Sequence, residues 1–229
     1  MNLTKYKSFE NFMLKNMKDS AHDCHHIYRV LYTALDIASY EEGVNYDVLI
    51  CACLLHDIGR MEQFENPSLC HAVVGGDKAY QFLMEQGYDS TYAENVKSCI
   101  KSHRFRADAP PVSLEAKILF DADKIDVTGA IGIARTLIYQ GQVSEPLYTL
   151  DPEGEVSDGS DDIEPSFFQE YKYKLEGIYT KFFTKRGQEI ALERKKSAED
   201  FYENMLKEVK VSYRAGKHLL EKNLEDSSN

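Results

Sequence analysis

A histidine and an aspartate stand side by side at the end of an apolar run. Residues 48–55 read VLICACLL, and His56 and Asp57 follow directly in the segment LLHDIGR. Burying such groups is unfavourable unless they are paired or bind a metal ion. Neighbours on a helix point about 100° apart, so both side chains reach one ion only if it lies near the helix end. Gly59 is expected to end that helix and to supply the opening for the ion.

Two further residues complete a set of four candidate ligands from three predicted helices. His26 lies in the segment HDCHHIYRV, and Asp123 lies in ILFDADKID, another apolar run that ends in carboxylates. Two imidazoles and two carboxylates form a mixed nitrogen and oxygen set, which suits Mn, Fe, Co, Ni or Zn better than Ca²⁺. We therefore predict a divalent transition-metal site at His26, His56, Asp57 and Asp123, with Mg²⁺ as an alternative ion.

Other titratable residues near these positions compete for the same roles or support them. They are Asp121 and Asp126 near Asp123, and His22, Asp23 and His25 near His26. Asp121 and Asp126 are alternatives to Asp123 as the carboxylate ligand. Asp23 is a candidate cap for the helix that follows it, and His22 is a candidate to hold a ligand from behind.

Basic side chains surround the same motifs. They are Arg60, Lys101, Arg104, Arg106 and Lys124. Cationic groups beside a metal suit a substrate that carries phosphate. Solvated surface charge is the ordinary role of any single one of them, so the prediction of phosphate binding rests on their grouping.

Helical periodicity dominates the chain. Apolar residues recur at three- and four-residue steps over about 22–41, which predicts a helix that stops at Gly43. Asn45 or Asp47 is a candidate cap for the next helix, which carries the apolar run. Small residues in GAIGIARTLI (129–138) would let two helices approach closely.

Further helices follow from the same pattern, so the predicted fold class is all-α, a helical bundle with a C-terminal helical extension. The predicted segments are 71–86, 89–103, Ser113 through LEAKILFDADKI, and about 188–223. We expect one domain over 1–229, with a core over about 18–140 and an extension over about 165–223.

An acidic stretch, DPEGEVSDGSDDIEP at 151–165, is predicted to be a solvated surface loop. It does not fit a calcium-binding loop, because the sixth position from Asp151 is Val156, where glycine is needed. The chain has a net charge of −11, and removing the seven acids of this loop would leave −4. Without this loop the chain would therefore be close to neutral.

Composition excludes several classes of protein. A net charge of −11 argues against a surface that binds duplex nucleic acid. The run at 48–55 is too short to span a bilayer, and the first residues lack a signal-peptide core. Five cysteines without a CxxC pair favour a reducing cytoplasm. The oligomeric state does not follow from the sequence.

Three motifs in order give the chain a family resemblance. The segments HHIYRV, LLHDIG and DADKID resemble the HD-domain metal-dependent phosphohydrolase superfamily. AHDCHH, AIGIAR and TKRGQEIALER (184–194) resemble a branch of small stand-alone bacterial HD hydrolases. The resemblance spans roughly 18 to 205. It implies an all-α bundle, a divalent metal, and hydrolysis of a phosphate ester or anhydride, often in a nucleotide.

The resemblance also assigns roles to residues. It places His26, His56, Asp57 and Asp123 as the four metal ligands, and it leaves Asp121 as a support behind them. His71 in SLCHAVVGG and His103 in IKSHRF occupy places where many HD proteins carry further histidines. These two are predicted to bind phosphate, to act as an acid, or to complete a second metal site.

The predicted function is hydrolysis of a small phosphorylated metabolite, with a nucleotide favoured. One alternative is a cyclic-nucleotide phosphodiesterase, but the GYP segment of that branch is absent after His103, where the sequence reads RFRADAPP. Another is a metal- or nucleotide-binding regulator without turnover. The sequence names neither the nucleotide nor the metal.

Overall fold

Helices account for nearly all regular structure, as the apolar periodicity predicts. The structure, a computed structural model, describes residues 1–17, 24–104 and 110–226. Within these ranges the only extended pairing is an isolated antiparallel bridge between Leu150 and Val156. The predicted all-α fold class is confirmed.

The helix bounds agree with the predicted segments to within a few residues. The helices are α1 (Leu3–Asn16), α2 (Cys24–Ala38), α3 (Tyr46–Leu55), α4 (Arg60–Glu65), α5 (His71–Glu85), α6 (Ser90–Ser102), α7 (Leu114–Ile125), α8 (Gly129–Val143), α9 (Phe167–Glu170) and α10 (Lys185–Asp226). A π-helical turn over Tyr171–Leu175 and a 3₁₀ turn over Ile178–Thr180 follow α9. No helix within the described ranges is both long and apolar enough to cross a bilayer.

Capping residues explain where the helices of the site begin and end. The Asn45 side chain accepts a hydrogen bond from the amide of Val48, so Asn45 rather than Asp47 caps α3. Helix α3 ends at Leu55, earlier than the predicted end at Gly59. Consequently His56 and Asp57 lie in the turn between α3 and α4, where both side chains can face the same point.

Two helices were not predicted from the sequence. Helix α1 begins at Asn2, whose side chain accepts from the amide of Lys5, and it buries Phe9 and Met13 one turn apart. Those two positions and the cap are a helical signal that the alternating polar pattern of the N-terminus obscures. Helix α4 has six residues and buries none of them, so it leaves no periodic pattern to detect.

The described residues divide into two compact units. The first comprises those within Met1–Asp126 and Lys181–Ile190, and the second those within Val127–Thr180 and Ala191–Asn229. This division falls after Asp126, before the predicted end of the core near 140. The single domain over 1–229 stays a prediction.

The second unit has its own aromatic core. Its buried members are Ile133, Val156, Phe167, Phe168, Tyr171, Leu175, Ala198 and Tyr202. The rings of Tyr171 and Tyr202 stack with centroids 4.0 Å apart. Val156 contributes to this core from within the acidic stretch, and Asp162 accepts hydrogen bonds from the hydroxyls of Thr149 and Ser157. The stretch is a surface loop, as predicted, but Val156 anchors it to the core and only Val156 and Gly159 of its residues are buried.

Gly59 allows a close approach between the turn after α3 and helix α5. A Cβ atom at this position would lie 2.6 Å from the backbone nitrogen of Gly75 and against the carbonyl oxygen of His71. The φ of Gly59 is −96°, so the glycine is needed for space and not for a left-handed backbone. The approach brings Asp57 towards His71.

We expect Gly59→Ala to destabilise the protein by about 1–3 kcal/mol, because the added methyl group meets backbone atoms that cannot rotate away. Gly141→Ala is the matched control, since Gly141 is an exposed residue of α8 with open space around it. The control should be stabilised by up to about 1 kcal/mol through helix propensity. Chemical denaturation measures both. Equal stability of the two variants would contradict the role of Gly59 in packing.

Candidate metal centre

Four side chains from α2, the turn after α3, and α7 converge on one point. The Nε2 atom of His26 lies 3.3 Å from Nε2 of His56, 3.5 Å from Oδ2 of Asp57 and 3.4 Å from Oδ1 of Asp123. Nε2 of His56 lies 3.8 Å from each of these oxygens. Ligands about 2.1 Å from a tetrahedral ion are separated by about 3.4 Å, so the spacing fits an ion at the centre. The structure thus brings all four predicted ligands together.

A second group shares Asp57 with the first. The other carboxylate oxygen of Asp57, Oδ1, lies 3.5 Å from Nε2 of His71 and 3.5 Å from Nε2 of His103. The two Nε2 atoms lie 3.2 Å apart. The trio His26, His56 and Asp123 and the trio Asp57, His71 and His103 each have the composition and spacing to hold a metal ion. Asp57 has one oxygen near the histidines of each trio.

Hydrogen bonds on the far side of each ring orient the histidines. Nδ1 of His56 donates to the carbonyl of Cys53 at 2.8 Å, and Nδ1 of His103 donates to the carbonyl of Ile100 at 2.6 Å. A carbonyl oxygen only accepts, so the proton of each neutral ring is on Nδ1 and the Nε2 lone pair faces the centre. Helix α4 gives His71 the same support, because Nδ1 lies 2.6 Å from Oε1 of Gln63.

Asp126 supports His26 and is the supporting carboxylate that the sequence did not assign. Its Oδ2 lies 2.7 Å from Nδ1 of His26, and the guanidinium of Arg29 binds both oxygens at 2.7 and 3.0 Å. A carboxylate behind a histidine ligand fixes the ring and raises its basicity. In the sequence, Asp126 is an alternative to Asp123 as the metal ligand, whereas the structure places it behind His26.

Asp121 was predicted to support a metal ligand, but its contacts are with a different part of the chain. It is buried and accepts hydrogen bonds from the amides of Phe183 and Thr184, at 2.9 and 2.7 Å. These contacts hold the residues just before α10. Burial raises the pKa of this carboxyl group, and the hydrogen bonds from Thr184 and Phe183 oppose that shift.

The predicted phosphate-binding residues have different surroundings. Arg60 Nε lies 3.0 Å from Oδ1 of Asp57. Lys101 pairs with Asp77 of α5 at 3.0 Å, so its ammonium group already has a carboxylate partner, which differs from the predicted phosphate role. Arg104 is exposed, and its charge acts on His71. The predicted residues outside the described ranges are His22, Asp23 and Arg106.

Lys124 lies over an aromatic ring at the edge of the site. Its Nζ is 4.5 Å from the ring centroid of Phe120, one turn earlier on α7. Burial, followed by the charge of Lys181, lowers its pKa.

Electrostatics make Asp57 the most constrained group of the centre. Its side chain is fully buried, and neither oxygen has a hydrogen bond of regular geometry. Burial alone would raise its pKa, but Arg60 and His56 hold the pKa well below the usual range. A buried ionised carboxylate without hydrogen bonds is costly, and a bound cation would compensate that cost. This is the observation that most favours metal at the site.

Access to the centre is one-sided. The side chains of His26, His56 and Asp57 are fully buried, whereas that of Asp123 is 24% exposed. Among these four ligands, solvent therefore reaches the centre only beside Asp123. A substrate would enter along the face of α7 that carries this residue.

Comparisons with known proteins agree with this geometry. Residues 24–128 match the HD domain family. The uncharacterized protein YpgQ of Bacillus subtilis is 30% identical over 138 residues, which cover 57% of this chain and 63% of YpgQ. The match therefore spans less than two thirds of that relative. This similarity to the HD domain family covers the three motifs that the sequence shows.

Solved structures share the fold over most of the chain. A protein of Listeria innocua has a TM-score of 0.69 at 27% identity, with 92% of this chain and 99% of its own covered. An HD-superfamily hydrolase of Bacillus thuringiensis has a TM-score of 0.65 at 28% identity, with 90% and 96% covered. YpgQ in complex with ADP has a TM-score of 0.68 at 24% identity, with 89% and 97% covered. The chain thus has the fold of the HD-superfamily hydrolases.

We expect metal-free protein to lose stability as the pH falls from about 7 to about 5. Burial lowers the pKa of His56 to about 4, and it also lowers that of His71. Histidines of the unfolded chain protonate near about 6.5, so below that pH the unfolded state binds more protons and is favoured. The loss should be about 2 kcal/mol for each such histidine.

Thermal unfolding of chelator-treated protein at the two pH values measures this loss. His56→Gln should reduce the dependence on pH, whereas His218→Gln, at an exposed position of α10, should leave it unchanged. The same midpoint at both pH values for the unaltered protein would show that the buried histidines are not neutral in the folded state.

Proposed function

We propose that this chain is a metal-dependent phosphohydrolase that acts on a small phosphorylated metabolite, with a nucleotide as the favoured substrate. The observation that carries the proposal is the buried Asp57 carboxylate, which accepts no hydrogen bond of regular geometry and lies between two pairs of imidazole Nε2 atoms. Fold membership supplies the reaction class, because solved relatives include HD-superfamily hydrolases. The proposed centre has one open side, where a phosphate group can approach.

The first ion would be held by His26, His56, Asp57 and Asp123, and a second by Asp57, His71 and His103. Divalent ions in such sites polarise phosphoryl oxygens and lower the pKa of water. The first group has two carboxylates, and Asp126 stands behind one of its histidines. The second has only the shared carboxylate, near the charge of Arg60. We therefore propose that the first group binds its ion more tightly.

The remaining residues would bind and orient the substrate. Arg104, which is exposed, and Lys124, next to Asp123, are the predicted cations that would contact phosphate oxygens, and Arg60 would limit the negative charge around Asp57. His71 and His103 were also predicted as acids. Their Nε2 atoms face Asp57 Oδ1 at 3.5 Å with the proton on the other ring nitrogen, which favours ligation over proton donation.

A nucleotide is favoured over other phosphate esters because of one relative. YpgQ has been solved in complex with ADP. That ligand belongs to YpgQ, and it supports a nucleoside phosphate as the first substrate class to examine here. A binding protein without turnover is the second candidate, and the burial of three of the four main ligands is the observation that favours it.

Metal titration tests the proposed ligands. Chelator-stripped protein titrated with Mn²⁺ in a calorimeter should bind a tight ion and a weaker one per chain. His56→Gln should remove the tight event, His71→Gln should remove the weak one, and Asp57→Asn should impair both. Asp161→Asn, at an exposed position, serves as the control. Unchanged binding in both histidine variants would show that the ligands are wrong.

Turnover tests the proposed reaction. We expect release of phosphate or pyrophosphate from at least one nucleoside mono-, di- or triphosphate with Mn²⁺, Co²⁺, Ni²⁺, Mg²⁺ or Zn²⁺. Asp57→Asn should lower kcat/KM by about 100-fold or more, because it removes the group shared by both ligand sets. Asp161→Asn should retain activity. If no phosphate compound is turned over while metal binds as expected, the regulatory candidate takes the place of the enzyme.

A further inference from the structure

One oxygen of Asp57 lies next to two imidazoles and a guanidinium. Oδ1 is 3.5 Å from Nε2 of His71, 3.5 Å from Nε2 of His103 and 3.0 Å from Nε of Arg60. Asp57 and the two histidines form the proposed second ion site, so Arg60 lies beside the oxygen that a second ion would need. A divalent ion and a guanidinium on the same oxygen are only a few ångströms apart, and in a protein interior they repel each other strongly.

The contact between Arg60 and Asp57 is an ion pair without a well-directed hydrogen bond. Nε of Arg60 is buried and makes no regular hydrogen bond to any residue that the structure describes, and the same holds for Oδ1 of Asp57. An arginine that binds a carboxylate by geometry donates two parallel hydrogen bonds, as Arg29 does to Asp126. The Arg60 contact therefore neutralises charge with little geometric constraint, and another cation can replace it.

Among the four groups around this oxygen, Arg60 alone is partly exposed to solvent. Its side chain is 24% exposed, whereas those of Asp57, His71 and His103 are at most 2% exposed. An ion that approaches Oδ1 from the side of Arg60 thus meets the guanidinium first. Because the charged end of an arginine is readily hydrated, this side chain can turn into solvent without opening the core.

Helix α4 is held by residues other than Arg60, so the arginine side chain can move while the helix stays in place. Lys78 of α5 pairs with Glu62 at 2.6 Å and donates to a carbonyl oxygen of the preceding turn at 2.9 Å. Gln63 contacts Nδ1 of His71 at 2.6 Å. These contacts keep His71 oriented towards Asp57 whether or not the guanidinium lies beside Oδ1.

We propose that Arg60 is a built-in counter-ion of Asp57 that a second divalent ion displaces. With only the tight ion bound, the guanidinium neutralises Oδ1. When a second ion binds Oδ1 together with His71 and His103, the Arg60 side chain turns towards solvent, where it can contact substrate phosphate. Occupancy of the second site is thus set by a competition within the protein. The inference rests on the two-ion centre of the proposed function and not on turnover.

A Mn²⁺ titration of chelator-treated Arg60→Met tests the competition. The weak binding event should tighten by about 10-fold or more, because the variant lacks a positive charge beside a ligand oxygen. Arg60→Lys, which keeps the charge, should leave the second event weak. Arg186→Met is the matched control, since Arg186 is 22% exposed and pairs with Asp36 at the other end of α2 from His26. It should leave both events unchanged.

A double variant assigns the gain in affinity to the second site. Adding His71→Gln to Arg60→Met should remove the tightened event and leave the tight ion bound. If metal-free Arg60→Met does not fold, equilibrium dialysis of protein purified with Mn²⁺ measures both affinities. A second event that is absent, unchanged or weaker in Arg60→Met, or a gain that survives His71→Gln, would overturn the proposal.

Thermal unfolding provides a readout that does not require two resolved binding events. Without metal, Arg60→Met should melt lower than the unaltered protein, because a buried carboxylate has lost its counter-ion. Saturating Mn²⁺ should then raise the melting temperature of Arg60→Met more than that of the unaltered protein or of Arg186→Met. An equal rise in all three would refute displacement. If these metal effects appear but no phosphate compound is turned over, the proposed hydrolysis is refuted and the role of Arg60 stands.

Discussion

The burial of one carboxylate, Asp57, is the constraint on which the arrangement of the site depends. An apolar helix carries it into the interior, and neither of its oxygens accepts a hydrogen bond of regular geometry. Such a group is tolerated only where positive charge is close, and the Arg60 guanidinium lies beside Oδ1. The other oxygen faces two imidazole lone pairs. Without a bound cation this carboxylate would destabilise the core, so its position marks where a cation would bind.

Rigid supports keep the imidazoles aimed at this carboxylate. His56 and His103 each donate Nδ1–H to a backbone carbonyl three residues earlier, so the helix end itself fixes the ring. His26 depends instead on Asp126, the residue that follows α7, and this contact ties α2 to the end of α7 as well as orienting a ligand. Because the supports come from backbone or buried side chains, the centre is organised before any ion binds.

Residue type and order pointed to the candidate ligands, because few histidines and acids adjoin apolar runs, and the family resemblance selected Asp123 over Asp121 and Asp126. The residues that hydrogen-bond to the ligands were harder to predict. Asp121 and Asp126 both neighbour Asp123 in sequence, and helical spacing alone does not show which one meets His26. The answer depends on partners 60 to 100 positions away, Thr184 and His26. The pairing of Lys101 with Asp77 could not be predicted for the same reason.

The last turns of α7 contact both the candidate metal centre and the segment before α10. Asp123 lies at the centre, and Asp126, which follows the helix, supports His26, so changes at these two residues would act on the chemistry. Asp121 and Phe120 contact the segment before α10, through hydrogen bonds to its backbone and an edge-to-face ring contact with Phe183. Hydrogen bonds restrict position more narrowly than apolar contact does. The residues just before α10 are therefore held in a fixed position relative to the turn of α7 that carries Asp123.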